Sequence, residues 1–155
     1  MKPLKSFATL TLCLLLALTA CFSAGAYDTA TEAETTTTQI TTEDGSVITV
    51  IDELIVQDLS RSSSKTVTRK RTFVKGDTTI GVIALTAEFS YTGSSVSVVS
   101  KRVSQSTTYN GWKFTQNSLT SSGGTASLSG KLTKFLNAQV PVEISITCDK
   151  NGNIT

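Results

Sequence analysis

The sequence predicts an all-β protein, an antiparallel two-layer β-sandwich of Ig-like or partly closed barrel form. Three observations carry this. Runs of five to ten residues rich in Val, Ile and Thr recur from about residue 43 to the C-terminus. Short turn signals built on Gly, Asn and Asp separate them at the spacing of an antiparallel sheet. No segment sustains the 3.6-residue apolar period of an amphipathic helix.

The elements follow in order. Asp44-Gly45 precedes a strand over Val47–Val56, and Lys75-Gly76-Asp77 separates Thr66–Val74 from Thr79–Tyr91. Along Thr79–Tyr91 the alternation shifts between Val82, Ala84 and Leu85, Ala87, Phe89, so a bulge is expected there in a central strand. Thr92-Gly93-Ser94 leads into Val96–Val103. Asn110-Gly111 is the sharpest turn signal, because both residues tolerate positive φ, and it predicts a hairpin joining Val103–Tyr109 to Trp112–Thr115. Gly123-Gly124 precedes Ala126–Phe135, and Val140–Cys148 is the last strand, with Val140, Val142, Ile144, Ile146 and Cys148 on its buried face. Lys70, Arg71, Lys101 and Arg102 read as charges that protect exposed strands from edge-to-edge pairing.

The N-terminus carries a different signal. Lys2 and Lys5 precede an apolar run from Leu10 to Leu18, too short to span about 30 Å of hydrocarbon as a helix. It reads as an export signal. Ala24 and Ala26 place small side chains where a signal peptidase needs them, leaving Tyr27 as the first mature residue. Leu18-Thr19-Ala20-Cys21 resembles the lipobox of bacterial lipoproteins, which implies lipidation at Cys21 and a signal of residues 1–20; otherwise the signal is residues 1–26. Residues 27–42 are Thr-, Ala- and Glu-rich with little to bury, and are expected to form a flexible tether whose last residues join a sheet edge. Residues 43–155 are the expected β-sandwich domain. The whole pattern resembles small exported proteins of Gram-positive bacteria that carry no assigned activity, which implies a secreted or lipid-anchored location at the cell surface.

Charge is sorted along the chain. Residues 27–58 hold eight acids and no base, whereas residues 59–155 hold four acids and twelve bases. Either the basic part meets an anionic envelope polymer or lipid surface, or acidic and basic strands neighbour each other in one sheet. After cleavage at Ala26 only Cys148 remains, so no internal disulfide is expected and the fold must stand on its packing.

The chain has no histidine. That excludes Ser-His-Asp and Cys-His nucleophile activation and the commonest metal ligand together. Ser62-Ser63-Ser64-Lys65 matches Ser-x-x-Lys without the companion Ser-Asp-Asn and Lys-Thr-Gly elements, and is read as a chance match. Asp52, Glu53, Asp77 and Glu88 are the acids within or beside strands, but Asp52 and Glu53 are adjacent and must point to opposite faces. Asp149-Lys150-Asn151-Gly152-Asn153 begins like a calcium loop, yet Ile154 stands where glycine is needed, so a hairpin turn is expected. Tyr109 and Trp112 flank Asn110-Gly111 and form a weak candidate for ligand binding by stacking on sugars, set against burial of the lone tryptophan in the core. No cofactor, metal site or nucleic-acid site is expected. The expected function is a non-enzymatic binding or structural module acting on an envelope polymer or another surface protein. The alternatives are a carboxylate-dependent enzyme acting on envelope glycans and a released toxin or bacteriocin-like factor.

Overall fold

The computed structural model describes residues 29–42, 45–59, 63–107, 111–134 and 138–155. Their alternating polar and apolar pattern is resolved into eight strands: β1 (Thr29–Thr41), β2 (Val47–Leu59), β3 (Ser64–Lys75), β4 (Thr78–Tyr91), β5 (Val96–Ser106), β6 (Trp112–Ser122), β7 (Thr125–Lys134) and β8 (Ala138–Thr147). A five-stranded sheet in the order β1-β2-β3-β4-β5 packs against a three-stranded sheet in the order β6-β7-β8. All neighbours are antiparallel, and the two sheets form a sandwich that does not close into a barrel. Each sheet is a plain meander, so the strand order differs from the Greek key of an Ig domain.

Side chains facing the second layer make the core. Ile83, Leu85, Ala87 and Phe89 of β4 meet Leu128 and Leu132 of β7 and Val140, Val142, Ile144 and Ile146 of β8, all buried in one cluster. Phe73 and Phe89 are the largest of the fully buried side chains. Gly130 sits in this layer beneath Phe114, and a Cβ there would fall 2.7 Å from the phenylalanine ring and 2.6 Å from the Thr115 carbonyl oxygen. The ring takes the place a side chain would have had.

Several expectations change. Residues 29–41 form β1, paired with β2 along their whole length, and are not a flexible tether. β2 is apolar on both faces and leaves its outer edge needing hydrogen bonds, and threonine-rich chain supplies them with its β-branched backbone preference. Asn110-Gly111 does not close a hairpin: β5 and β6 belong to different sheets, and the segment carries the chain from one layer to the other. Gly111 does have a positive φ of 85°, as its sequence suggested, while Asn110 lies outside the described residues. The same local chemistry serves a hairpin and a crossing between layers.

The bulge in β4 falls earlier than expected. Phe73 pairs with Gly81 and Val74 with Thr79, so Ile80 is the extra residue and is buried with the odd-numbered face. As expected, β4 is an interior strand, paired on one side with the central strand β3 and on the other with the edge strand β5. Lys70 and Arg71 therefore lie on the central strand and protect no edge, whereas Lys101 and Arg102 do lie on edge strand β5.

Candidate functional site

Register decides which side chains share a face. On the inward face of the five-stranded sheet, Thr38, Val50 and Phe73 form one row; Thr36, Asp52, Arg71 and Ile83 the next; then Glu34, Leu54, Arg69 and Leu85; then Glu32, Val56, Val67 and Ala87. Each row grades from polar at β1 to apolar at β4. The three-stranded sheet covers β3, β4 and β5; among the described residues no Cα of β1 or β2 comes within 8 Å of it. Ile48 and Val50 at one end of β2 are still buried in the shared core, whereas the Leu54–Val56 part, with the β1 residues beside it, overhangs the second layer.

A charged belt marks the boundary. Asp52 is almost buried, with its side chain 12% exposed, and lies between two arginines. Arg69 Nε donates to Asp52 Oδ1 at 3.0 Å and Arg71 Nε donates to Oδ2 at 2.9 Å. The far ends of both guanidinium groups cross to β8, where Arg69 Nη1 donates to the Ser145 carbonyl at 3.1 Å and Arg71 Nη1 donates to the Glu143 carbonyl. The carboxylate thus orients two cations that cap the open edge of β8. On the opposite face Glu53 pairs with Lys70. Sorting of charge along the sequence is in this part cross-strand pairing between acidic β2 and basic β3.

Beyond the belt lies a groove of about 410 Å³. Leu54 and Val56 form its floor, Glu32 and Glu34 of β1 one wall, and Lys65 with Gly152, Asn153 and Ile154 the other. The C-terminal wall is a small hairpin closed by the Cys148–Ile154 bridge and by reciprocal backbone bonds of 2.8 and 2.9 Å between Thr147 and Thr155. Asp149 fixes its turn: Oδ1 accepts from the backbone N–H of Asn151 at 2.7 Å and of Asn153 at 2.9 Å, and Oδ2 accepts from the Asn153 side chain at 2.7 Å. These bonds, led by the Asn153 side chain, hold the Asp149 carboxyl below its usual range. The carboxylate is occupied by its own turn, the hairpin arrangement expected from the sequence. Tyr91 packs on Gly152, whose φ of 87° suits glycine, and a Cβ there would meet the ring at 2.6 Å.

The expected site residues fare differently. Cys21, Ala24, Ala26 and Tyr109 lie outside the described residues. Trp112 is 6% exposed and belongs to the core cluster, so its ring is not offered at a loop tip for stacking on a ligand. Asp52 and Glu53 do point to opposite faces and are both engaged by cations, and Glu88 accepts a hydrogen bond from Ser100 at 3.2 Å. Cys148 is 1% exposed, and burial pushes its thiol up, with the Asp149 charge adding to the effect and Lys65 opposing it. Among the described residues no three His, Cys, Asp or Glu side chains gather as a metal set. Glu32 and Glu34 escaped sequence reading because their segment offered nothing apolar to assign to a face. The signal present was threonine β-propensity beside a strand that is apolar on both sides.

No protein-family model matches the chain, and no curated protein or solved structure matches it. The groove's chemistry is therefore judged on its own residues. Glu32 and Glu34 are exposed, lie on one face two positions apart, and meet no basic side chain among the described residues. Acid–base catalysis needs two carboxyl groups whose surroundings separate their roles, and these two share one solvated wall. The arrangement suits contact with a neutral or basic segment laid along the apolar floor.

Proposed function

We propose that the protein is an exported, non-enzymatic binding or structural module of the bacterial cell surface, and that the β1–β2 overhang is its contact surface. Export is supported by Lys2, Lys5 and the apolar run Leu10–Leu18, with Cys21 or Ala26 as the processing point. The observation that carries the binding role is the strip of Leu54 and Val56, left half-buried where the second layer stops and flanked by two acids. Its occupant is an extended envelope polymer or surface-protein segment that is not acidic, because Glu32 and Glu34 repel anions from that wall.

The test is amide NMR of the mature protein titrated with solubilised envelope glycan and with a neutral or lysine-containing extended peptide. Shifts concentrated at residues 32–34, 54–56 and 152–154 are expected for at least one of them. Shifts elsewhere, or none at millimolar ligand, overturn the assignment of the groove. Turnover of the glycan, lost on replacing Glu32 and Glu34 by Gln, would instead establish a carboxylate-dependent enzyme.

A further inference from the structure

A sheet edge presents unpaired N–H and C=O groups that template another strand, and soluble proteins blunt such edges by recognisable means. Of the four edges in this sandwich, three are blunted. On β8, Arg69 and Arg71 occupy the outward carbonyls of Ser145 and Glu143. Pro141 shares the phase of those residues, so its missing N–H falls on the same open side. On β5, Val99 is an extra residue between the Glu88–Ser100 and Phe89–Val98 pairs, and Lys101 points inward to bond Ser121 Oγ at 2.9 Å. On β6, Asn117 is the extra residue and Lys113 adds a charge.

β1 is the least protected of the four, with no bulge, proline or lysine and only two inward-pointing acids. Its 13 residues pair with β2 without a register shift and include seven threonines. Thr35–Thr41 carries no charge at all. Only Glu32 and Glu34 are charged, and both point to the inward face, leaving the outward face Thr31, Ala33, Thr35, Thr37 and Gln39 uncharged.

We propose that β1 pairs antiparallel with β1 of a second copy about a two-fold axis at Thr35, joining two five-stranded sheets into one of ten. Charge selects the occupant and the register. When all 13 residues overlap, residue i faces residue 70 − i, so Glu32 lies opposite Thr38 and Glu34 opposite Thr36 of the other copy. Every acid then faces a hydroxyl that can donate to it. Sliding by one repeat of the pleat in one direction puts Glu34 directly opposite Glu34, and sliding in the other shortens the overlap and sets Glu32 against Ile40. The pairing does not depend on the groove's ligand, since it uses the backbone edge of β1 and not the floor of Leu54 and Val56.

Sedimentation velocity of the mature protein beginning at Tyr27 tests this, with Trp112 fluorescence and circular dichroism confirming that each variant is folded. The wild-type protein is expected to dimerise reversibly. Thr36→Lys places a cation opposite Glu34 of the second copy and tightens the dimer, whereas Thr36→Glu places an acid there and weakens it; two-fold symmetry makes each substitution act twice, so about tenfold changes in dissociation constant are expected in opposite directions. Thr35→Cys should cross-link to itself under mild oxidation, while Cys148 stays buried. A monomer at millimolar concentration, a dimer indifferent to both Thr36 variants, or growth into longer assemblies through the β5 edge overturns the proposal.

Discussion

The Asp52 carboxylate holds the Arg71 guanidinium at 2.9 Å on the face of the five-stranded sheet that turns toward the second layer, and the same arginine reaches the backbone of β8. Arg69 repeats the arrangement at 3.0 Å. Asp52→Asn keeps the shape but leaves two cations adjacent and no anion between them. Both arginine side chains remain more than a quarter exposed, at 28% and 27%, so water screens the loss. The expected cost is about 1–3 kcal/mol, below that of a fully buried pair. Urea unfolding followed by Trp112 fluorescence measures it, and the amides of residues 142–146 should exchange faster in the variant.

A single methyl at Gly130 is expected to cost stability. The glycine's missing side chain is replaced by the Phe114 ring, and the Thr115 carbonyl oxygen would stand 2.6 Å from a new Cβ. Gly130→Ala must push β6 from β7, and overpacking of this kind costs about 1–3 kcal/mol. Phe114→Leu in the same chain should recover only part of the loss, because the backbone oxygen remains in the way. The double-mutant cycle in urea checks both statements.

The fold class was legible because the core strands alternate cleanly: Val140, Val142, Ile144 and Ile146 declare one face, and all four are buried. Strand order was less legible, since Asn110-Gly111 offers the same backbone freedom whether the chain returns beside itself or crosses to the second layer. The bulge in β4 is visible in the sequence only as a change of alternating face, and its position at Ile80 is not, because Ile80 and Gly81 look like one step of an alternating run. β1 was the hardest element to see. A strand solvated along most of both faces has no apolar period, and its existence follows from β2, whose outer-edge N–H and C=O groups call for a partner strand. The site was hidden with it, since Glu32 and Glu34 gain a direction only once β1 is paired.

The Cys148 thiol should behave as a core side chain. It is 1% exposed and its ionisation is disfavoured by burial and by the neighbouring Asp149 charge. Reaction requires the thiolate and access to it. A thiol-reactive dye added to the mature protein at neutral pH is therefore expected to label Cys148 only as urea unfolds it, with the labelling and fluorescence transitions coinciding. Rapid labelling in native buffer would show that the C-terminal hairpin opens independently of the core.

The C-terminal hairpin should loosen in strong acid, and the sign follows from the shift at Asp149. Its carboxyl is held below the usual range by the Asn153 side chain and by backbone N–H groups of Asn153, Asn151 and Gly152. A group whose folded value is depressed contributes stability above its unfolded value and loses it as pH falls through the folded one. The hairpin is thus expected to stay closed at neutral pH and through mild acid, and to open only below the ordinary carboxylate range. Asp149→Asn keeps one acceptor, removes the charge, and should abolish this acid step while speeding amide exchange at Asn151 and Asn153 at neutral pH. The Tyr91 ring, packed on Gly152, provides a second probe: its ring resonances should shift with the same acid midpoint in the wild-type protein and lose that dependence in the variant.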